Sequence, residues 1–257
     1  MILGIDIGNT NIVIGIFDEK SQMLGNFRIQ TNPLQTTDEF GVKLLEIFRF
    51  YGYDYQKVSG VIVSSVVPEL DYVFETMIEK YFNKTPLFVG PGIKTGIKIK
   101  IDNPKQLGAD ILVGIVGGYC KYGAPLLVID MGTAIKFFYL NQDKELLGGI
   151  IAPGIATSFS NLVSKASKLE GVKIDVPPSI IGKDTVTSIQ SAMIYGTASM
   201  IDGIIRKIKK EMNNDKIKVI ITGGESKLIA PFLEEKVIHD ENLILEGLSI
   251  IYYKNNK

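Results

Sequence analysis

The first ninety residues alternate between short apolar runs and polar turns. Residues 2–7 and 11–17 are apolar and are joined by Gly8-Asn9-Thr10, a pattern that predicts a β-hairpin. Further elements are predicted, in chain order, as a strand near 24–30, a helix over 37–51, a strand over 58–67, a helix over 70–82 and a strand over 87–89. Thr37 and Asp38 are the N-cap candidates of the first helix. This half therefore predicts three strands followed by alternating helix and strand.

The second half of the chain begins with the same pattern. An apolar strand ends in Asp130-Met131-Gly132-Thr133, as the first strand ends in Asp6-Ile7-Gly8. With Asp6 aligned to Asp130, a second apolar strand follows in both halves, and the run 218–224 resembles 61–65 at a larger offset. Matching elements in matching order predict an internal duplication. The expected fold is α/β with two domains, 1–116 and 117–257, each a mixed sheet flanked by helices.

Composition excludes several classes of function. Lys+Arg and Asp+Glu number 28 each, and this zero net charge argues against nucleic acid or an anionic membrane as partner. One cysteine, Cys120, permits no intramolecular disulfide and predicts a cytoplasmic location. No apolar run approaches the ~20 residues of a membrane span. His239 is the single histidine, so a Ser-His-Asp hydrolase or a His-rich zinc site would depend on it, and we expect it to be structural.

The turn after the first strand offers the groups that phosphate chemistry requires. Gly8 permits a positive φ and close approach to the backbone, while Asn9 and Thr10 add uncharged donors. Asp6, at the end of a buried strand, can hold Mg²⁺ through water. Ordinary turn chemistry is the alternative, and the second copy at Asp130 favours phosphate binding. Neither a Walker A sequence nor Gly-x-Gly-x-x-Gly follows the first strand, which disfavours the P-loop and Rossmann classes.

Two further segments extend the predicted nucleotide site. Asp130, Gly132 and Thr133 would come from the second domain, so that two hairpins clamp a nucleoside triphosphate by positioning and electrostatics. Gly223-Gly224 stands between a predicted strand and a predicted helix, where backbone N–H groups can face a nucleotide. A plain tight turn is the alternative for this glycine pair.

Asp110 has two interpretations. It precedes the apolar run 111–116, where an acid at a helix start is favoured by the helix macrodipole. Its functional interpretation is a general base, because a kinase that acts on an alcohol needs a carboxylate to accept the proton of the hydroxyl. Both interpretations stay open on the residues alone.

A set of motifs spread along nearly the whole chain resembles the type III pantothenate kinase family. The motifs are Asp6-Ile-Gly-Asn-Thr10, Ser65-Val-Val-Pro-Glu69, Gly92-Ile-Lys-Thr-Gly96, Asp102-Asn-Pro104, Gly108-Ala-Asp110, Asp130-Met-Gly-Thr-Ala134, Gly148-Gly-Ile-Ile-Ala-Pro-Gly154, Thr187-Ser-Ile-Gln-Ser191 with Tyr195-Gly196, Thr222-Gly-Gly224 and 243–248. The resemblance implies two actin-like (ribonuclease H-like) domains and a homodimer. It also implies transfer of phosphate from ATP, with Mg²⁺ and a monovalent cation (K⁺ or NH₄⁺), to the primary hydroxyl of pantothenate, the first step towards coenzyme A.

The resemblance also assigns roles to individual residues. Asp110 would be the proton acceptor, and Asp130 would coordinate the monovalent cation. The ATP site would be formed by Asp6, Ile7, Gly8, Asn9, Thr10, Asn11, Ile12, Val13 and Thr133, with Gly223 and Gly224 alongside. The pantothenate site would be formed by Ile101, Gly108, Ala109, Asp110, Ile111 and Thr185.

Four positions depart from the pattern of that family. Ile111 stands where an arginine is usual, Ile101 where an aromatic residue is usual, and Ile135-Lys136 where two threonines are usual. Two alternatives therefore stand beside the pantothenate kinase: an accessory ATP-binding protein of the same fold, and a kinase of another small hydroxylated metabolite. Lys136 would either strengthen phosphate binding or take the role of the monovalent cation.

Overall fold

The computed structural model describes residues 1–165 and 173–256, which fall into two compact units. The first unit comprises 1–97, 102–121 and 242–256, and the second comprises 98–101 and the described part of 122–241. The described strands are β1 (Ile2–Ile7), β2 (Asn11–Phe17), β3 (Met23–Gln30), β4 (Gly60–Ser65), β5 (Leu87–Phe88), β6 (Lys98–Ile99), β7 (Leu126–Met131), β8 (Ala134–Leu140), β9 (Glu145–Pro153), β10 (Lys218–Thr222) and β11 (Ile238–His239). The described helices are α1 (Thr37–Phe50), α2 (Pro68–Phe82), α3 (Ala109–Tyr122), α4 (Ile155–Lys165), α5 (Thr185–Ser191), α6 (Thr197–Glu211), α7 (Ser226–Ile229) and α8 (Leu243–Asn255).

Each unit contains one mixed sheet. The first has the order β3-β2-β1-β4-β5, and the second has the order β11-β10-β7-β8-β9-β6. In both, a three-stranded antiparallel meander continues into parallel strands, through β1–β4 in the first and β7–β10 in the second. The predicted α/β class with two mixed sheets is therefore confirmed.

The two sheets are copies of one another in fine detail. The strands β1 and β7 share one pattern of buried and half-buried positions, and so do β2 and β8. Both meanders carry a register shift at the equivalent place, after Ile16 in the first and after Tyr139 in the second. Ile16 faces Gly25, as Tyr139 faces Gly148. A repeated β-bulge is a conserved structural device and not a chance feature, so the predicted duplication is confirmed.

A separate hydrophobic core supports each sheet. In the first unit, Leu3, Ile5 and Ile7 of β1 pack with buried residues of α1 and α2. In the second, Leu127 and Ile129 of β7 pack with buried residues of α6. Alternate residues of a strand point to opposite faces, so Asp6 and Asp130 lie on the face opposite these cores.

The last helix belongs to the first unit. α8 packs against β1 and β4, and Leu248 lies next to Gly4, where an added Cβ would be 3.2 Å from the leucine Cβ. The compact units therefore do not follow the continuous ranges 1–116 and 117–257. The reason is that the chain returns to the first sheet after completing the second. None of the described helices has the length and apolar character needed to cross a membrane.

The N-cap of α1 differs from the prediction. Thr36, not Thr37 or Asp38, is the cap, and its hydroxyl accepts a hydrogen bond from the backbone N–H of Glu39. The Glu39 carboxylate in turn accepts from the Thr36 N–H at 2.7 Å, which completes a capping box. The apolar spacing predicts the helix but not its first residue, because Thr36, Thr37 and Asp38 are all residue types that cap helices.

We expect Thr36→Ala to lower the free energy of unfolding by about 1 kcal/mol, because the backbone N–H of Glu39 loses its partner, the Thr36 hydroxyl. Thr37→Ala is the matched control and should change it by less than about 0.5 kcal/mol, since residue 37 lies inside the helix. Urea unfolding followed by circular dichroism measures both variants. Equal losses in the two variants would contradict the assignment of the cap.

Candidate active site

The first hairpin turn is held by Thr31, a residue that no sequence motif marks. The N–H of Gly8 donates to Asn11 O at 3.0 Å, which closes the turn. Thr31, buried just after β3, donates its hydroxyl to Gly8 O at 2.6 Å and its N–H to Thr10 O at 3.0 Å. Asn9 and Thr10 stay exposed, so the turn presents its polar groups from a fixed backbone.

The neighbours of the turn take part in different ways. Ile7 and Ile12 are fully buried in the first core, so only their backbone groups are left for a ligand. Asn11 and Val13 are half-buried. Gly8 does not have a φ in the left-handed region. The expectation that this turn needs a glycine for a positive φ is therefore wrong.

Asp6 lies beside a buried hydroxyl. In the parallel pairing of β1 and β4 its register partner is Ser64, which is 0% exposed and whose hydroxyl has no hydrogen-bond partner among the described residues. The same arrangement recurs in the second unit, where Asp130 faces Thr222, also 0% exposed and without such a partner in the described chain. A buried hydroxyl without a partner is costly and calls for a functional explanation. Each carboxylate therefore stands next to an unused polar group.

The second hairpin turn is tied to the start of α4. The N–H of Gly132 donates to Ala134 O, and Thr133 is exposed. The Thr133 carbonyl accepts from the N–H of Gly154 at 3.0 Å and from the hydroxyl of Thr157 at 2.8 Å. Backbone groups of the turn and the first turn of α4 are thus held together.

Glu225 caps α4 from a distant part of the chain. Its two carboxylate oxygens accept the N–H groups of Ile155 and Ala156, at 2.9 and 3.0 Å. These are amides of the first helical turn that would otherwise lack partners. No local motif marks this contact, because the partners are about 70 residues apart.

Gly223 touches the second predicted carboxylate site. Its φ of +93° lies in the left-handed region, and an added Cβ would stand 2.6 Å from Asp130 Oδ1. Only glycine fits such a position without strain. The glycine pair 223–224 follows β10 and precedes α7, as predicted, and the N–H of Glu225 donates to Met131 O. Gly223 and Asp130 are therefore brought together in the second unit.

Asp130 makes a direct ion pair. Its Oδ2 lies 2.7 Å from the Nζ of Lys136, and both side chains are largely buried. The two residues are cross-strand partners in the register of β7 and β8.

Asp110 stands in the first turn of α3, which begins at Ala109. Its Oδ1 accepts the N–H of Ile111 at 2.8 Å, and an added Cβ at Gly108 would lie 2.5 Å from the same oxygen. The carboxylate is half-buried and folds back over Gly108. Gly108 thus leaves the space in which the Asp110 carboxylate sits.

The remaining predicted substrate residues lie in the second unit. Ile101 follows β6, and Thr185 opens α5 and lines a cavity of about 580 Å³. Lys183, Asp184 and Ser188 add polar groups to this cavity. The N–H of Thr187 donates to the Asp184 carboxylate, which lowers its pKa from the ordinary value and keeps it charged. Thr185 therefore sits in a cavity with both apolar and polar walls.

The structure divides the predicted residues between the units. The first unit holds Asp6, Ile7, Gly8, Asn9, Thr10, Asn11, Ile12, Val13, Gly108, Ala109, Asp110 and Ile111. The second unit holds Ile101, Asp130, Thr133, Thr185, Gly223 and Gly224. Within 1–165 and 173–256, no group of three or more His, Cys, Asp or Glu side chains is placed to hold a metal ion. Mg²⁺ does not need such a group, because one or two carboxylates suffice when substrate phosphates and water supply its other ligands.

Comparisons with known proteins agree on one family. A family model described as type III pantothenate kinase matches residues 2–207. A type III pantothenate kinase from Geotalea daltonii is 46% identical over 259 residues, with 100% of both chains covered.

Solved structures of lower identity share the fold. A Baf family transcriptional activator from Campylobacter jejuni matches with a TM-score of 0.59 at 20% identity, over 99% of this chain and 98% of its own. A 2-dehydro-3-deoxygalactonokinase protein from Sinorhizobium meliloti matches with a TM-score of 0.65 at 10% identity, over 99% and 96%. At these identities the likeness shows the fold alone, which is the actin-like fold of sugar kinases.

Proposed function

We propose that this chain phosphorylates pantothenate with ATP, the first step towards coenzyme A, because it belongs to the type III pantothenate kinase family. The observation that carries the proposal is the full-length match at 46% identity. The family implies ATP and a divalent cation as well as pantothenate. The carboxylates and turns at the strand ends of both sheets supply polar groups suited to bind ATP, the divalent cation and pantothenate.

Asp110 is the proposed general base. The pantothenate hydroxyl oxygen attacks the γ-phosphorus of ATP, its proton passes to the Asp110 carboxylate, and ADP leaves. The Ile111 N–H and the space above Gly108 fix one carboxylate oxygen of Asp110. These two neighbours hold the carboxylate in a defined orientation, which supports the proposed role.

The first hairpin is the proposed phosphate and magnesium site. Asn9 and Thr10 are exposed on a turn whose backbone Thr31 holds in place, so their donors need little reorganisation on binding. Asp6 would hold Mg²⁺ through water, with the Ser64 hydroxyl next to it. A bound Mg²⁺ neutralises charge on the phosphates. Thr133, Gly223 and Gly224 would contact ATP from the second unit.

Two groups of residues are the proposed contacts of pantothenate. Gly108, Ala109, Asp110 and Ile111 would line its reacting end, and Ile101 and Thr185 would contact the rest. The cavity beside Thr185 supports this assignment, because it combines hydroxyl and charged groups with apolar walls, as small-molecule sites do. Ile111 and Ile101 make the proposed set of substrate residues more apolar than the family pattern.

A homodimer is proposed from the surface of the second unit. Ile151 is 66% exposed and Ile181 is 77% exposed, and further apolar side chains of the same unit are exposed as well. These further residues are Leu147, Ile150, Val176, Ile180 and Val186. Exposed apolar side chains are candidates for a protein interface when they form a patch. A second copy of the chain is the occupant that the family resemblance implies.

We expect ADP release from ATP and Mg²⁺ to depend on pantothenate and to fall by about 10²-fold or more in Asp110→Asn, the range of general-base catalysis. Gly108→Ala should lower the rate less, because its methyl group displaces the carboxylate without removing it. A coupled assay measures ADP.

Asp215→Asn, at an exposed aspartate outside the proposed sites, is the matched control and should keep the wild-type rate. Full activity of Asp110→Asn would contradict its role as base. ATP binding without any pantothenate-dependent release would instead favour an accessory protein or a kinase of another metabolite.

We expect Ile151→Asp and Ile181→Asp to convert a dimer into monomers, because a carboxylate buried in an apolar interface loses its hydration. Light scattering after size exclusion measures the mass. Leu34→Asp is the control, since Leu34 is 90% exposed and lies in the first unit. A monomeric wild type, or equal dissociation by Leu34→Asp, would contradict the proposed interface.

A further inference from the structure

The duplication offers an internal comparison of two equivalent positions. In the first hairpin, the cross-strand partner of Asp6 is Val13. In the second hairpin, the cross-strand partner of Asp130 is Lys136. The surrounding strands have the same burial patterns. At the position that faces the aspartate, the second hairpin therefore carries a cation where the first carries an apolar residue.

The cation is held directly on the carboxylate. Lys136 Nζ lies 2.7 Å from Asp130 Oδ2, with side-chain exposures of 18% and 20%. By contrast, the pair of Lys80 and Asp38 has the same length but exposures of 54% and 61%. Partly buried pairs are screened by salt much less than exposed ones. The Lys136–Asp130 pair is therefore a persistent feature of the second hairpin.

Gly223 lies on the Oδ1 side of the carboxylate. A Cβ added at Gly223 would be 2.6 Å from Asp130 Oδ1, so a larger residue at this position would displace the carboxylate. The ammonium of Lys136 contacts the other oxygen, Oδ2.

A carboxylate beside bound phosphates needs a positive charge, since like charges repel. The family resemblance implies K⁺ or NH₄⁺ at Asp130. The groups present do not fit such an ion, because an ammonium already occupies hydrogen-bond distance from Oδ2 and would repel a second cation. A tethered ammonium also has a high effective concentration at its site.

We propose that Lys136 is the built-in counter-ion of Asp130, so that this chain needs no added monovalent cation at that carboxylate. Lys136 is a positioning residue: it acts through Asp130 and the second hairpin. The activity arm of the test rests on the proposed kinase function, and the stability arm does not.

The stability arm measures the thermal unfolding midpoint while KCl replaces tetramethylammonium chloride at constant ionic strength. A bound ion raises the midpoint through preferential binding to the folded state. We expect no rise in the wild type and a rise in Lys136→Thr, whose vacated space admits K⁺. Lys136→Gln is the second variant, and Lys207→Thr, an exposed lysine of α6, is the control for loss of one charge.

The activity arm measures pantothenate-dependent ADP release under the same salts. We expect wild-type rates within about twofold across K⁺, NH₄⁺ and tetramethylammonium, and about tenfold or greater stimulation of Lys136→Thr by K⁺. Stimulation of the wild type as strong as that of the variant would overturn the proposal, and so would variants that fold but gain no response to K⁺ in either arm. If neither variant folds, the response of the wild type to K⁺ in both arms still tests the proposal. If ADP release does not depend on pantothenate but the stability arm gives the expected result, the proposed kinase function is overturned. The role of Lys136 as counter-ion of Asp130 is then still supported.

Discussion

Each half of the chain is organised around a strand that is buried along its length and carries charge only near its carboxyl end. In β1 and β7 the one half-buried position is the aspartate, Asp6 or Asp130. A parallel partner, β4 or β10, ends at the same edge of the sheet and adds a buried hydroxyl in register. Hydrophobic burial thus leaves a single edge of each sheet for chemistry, as in open α/β sheets generally. The positions of the hairpin turns, of the glycine pair 223–224 and of the helix starts depend on where these strands end.

The two copies share a backbone but differ in charge. The first hairpin keeps an apolar cross-strand neighbour, Val13, and so leaves Asp6 suited to a divalent ion brought in with phosphate. The second places Lys136 on its aspartate. A duplicated scaffold can therefore keep its register while the charge of the residue that faces its aspartate changes. Electrostatic preorganisation of this kind lowers the cost of binding a charged substrate.

Much of the fold could be predicted from the sequence, because period-two and helical spacing are local signals. The hairpins, the duplication and the Gly223 turn were predicted in this way. Contacts made by tertiary packing could not be: Thr31 on the first turn, Glu225 on α4, and the return of α8 to the first sheet all join distant segments. Lys136 was visible as a departure from the family pattern, but only the strand register showed that it pairs with Asp130.

The most direct test of the account is the identity of the reaction product. The full-length chain is incubated with pantothenate, ATP and Mg²⁺, and the products are separated and identified by mass spectrometry. The account predicts pantothenate carrying one added phosphoryl group on its primary hydroxyl, formed in equal amount to ADP. Release of ADP without phosphorylated pantothenate would contradict it.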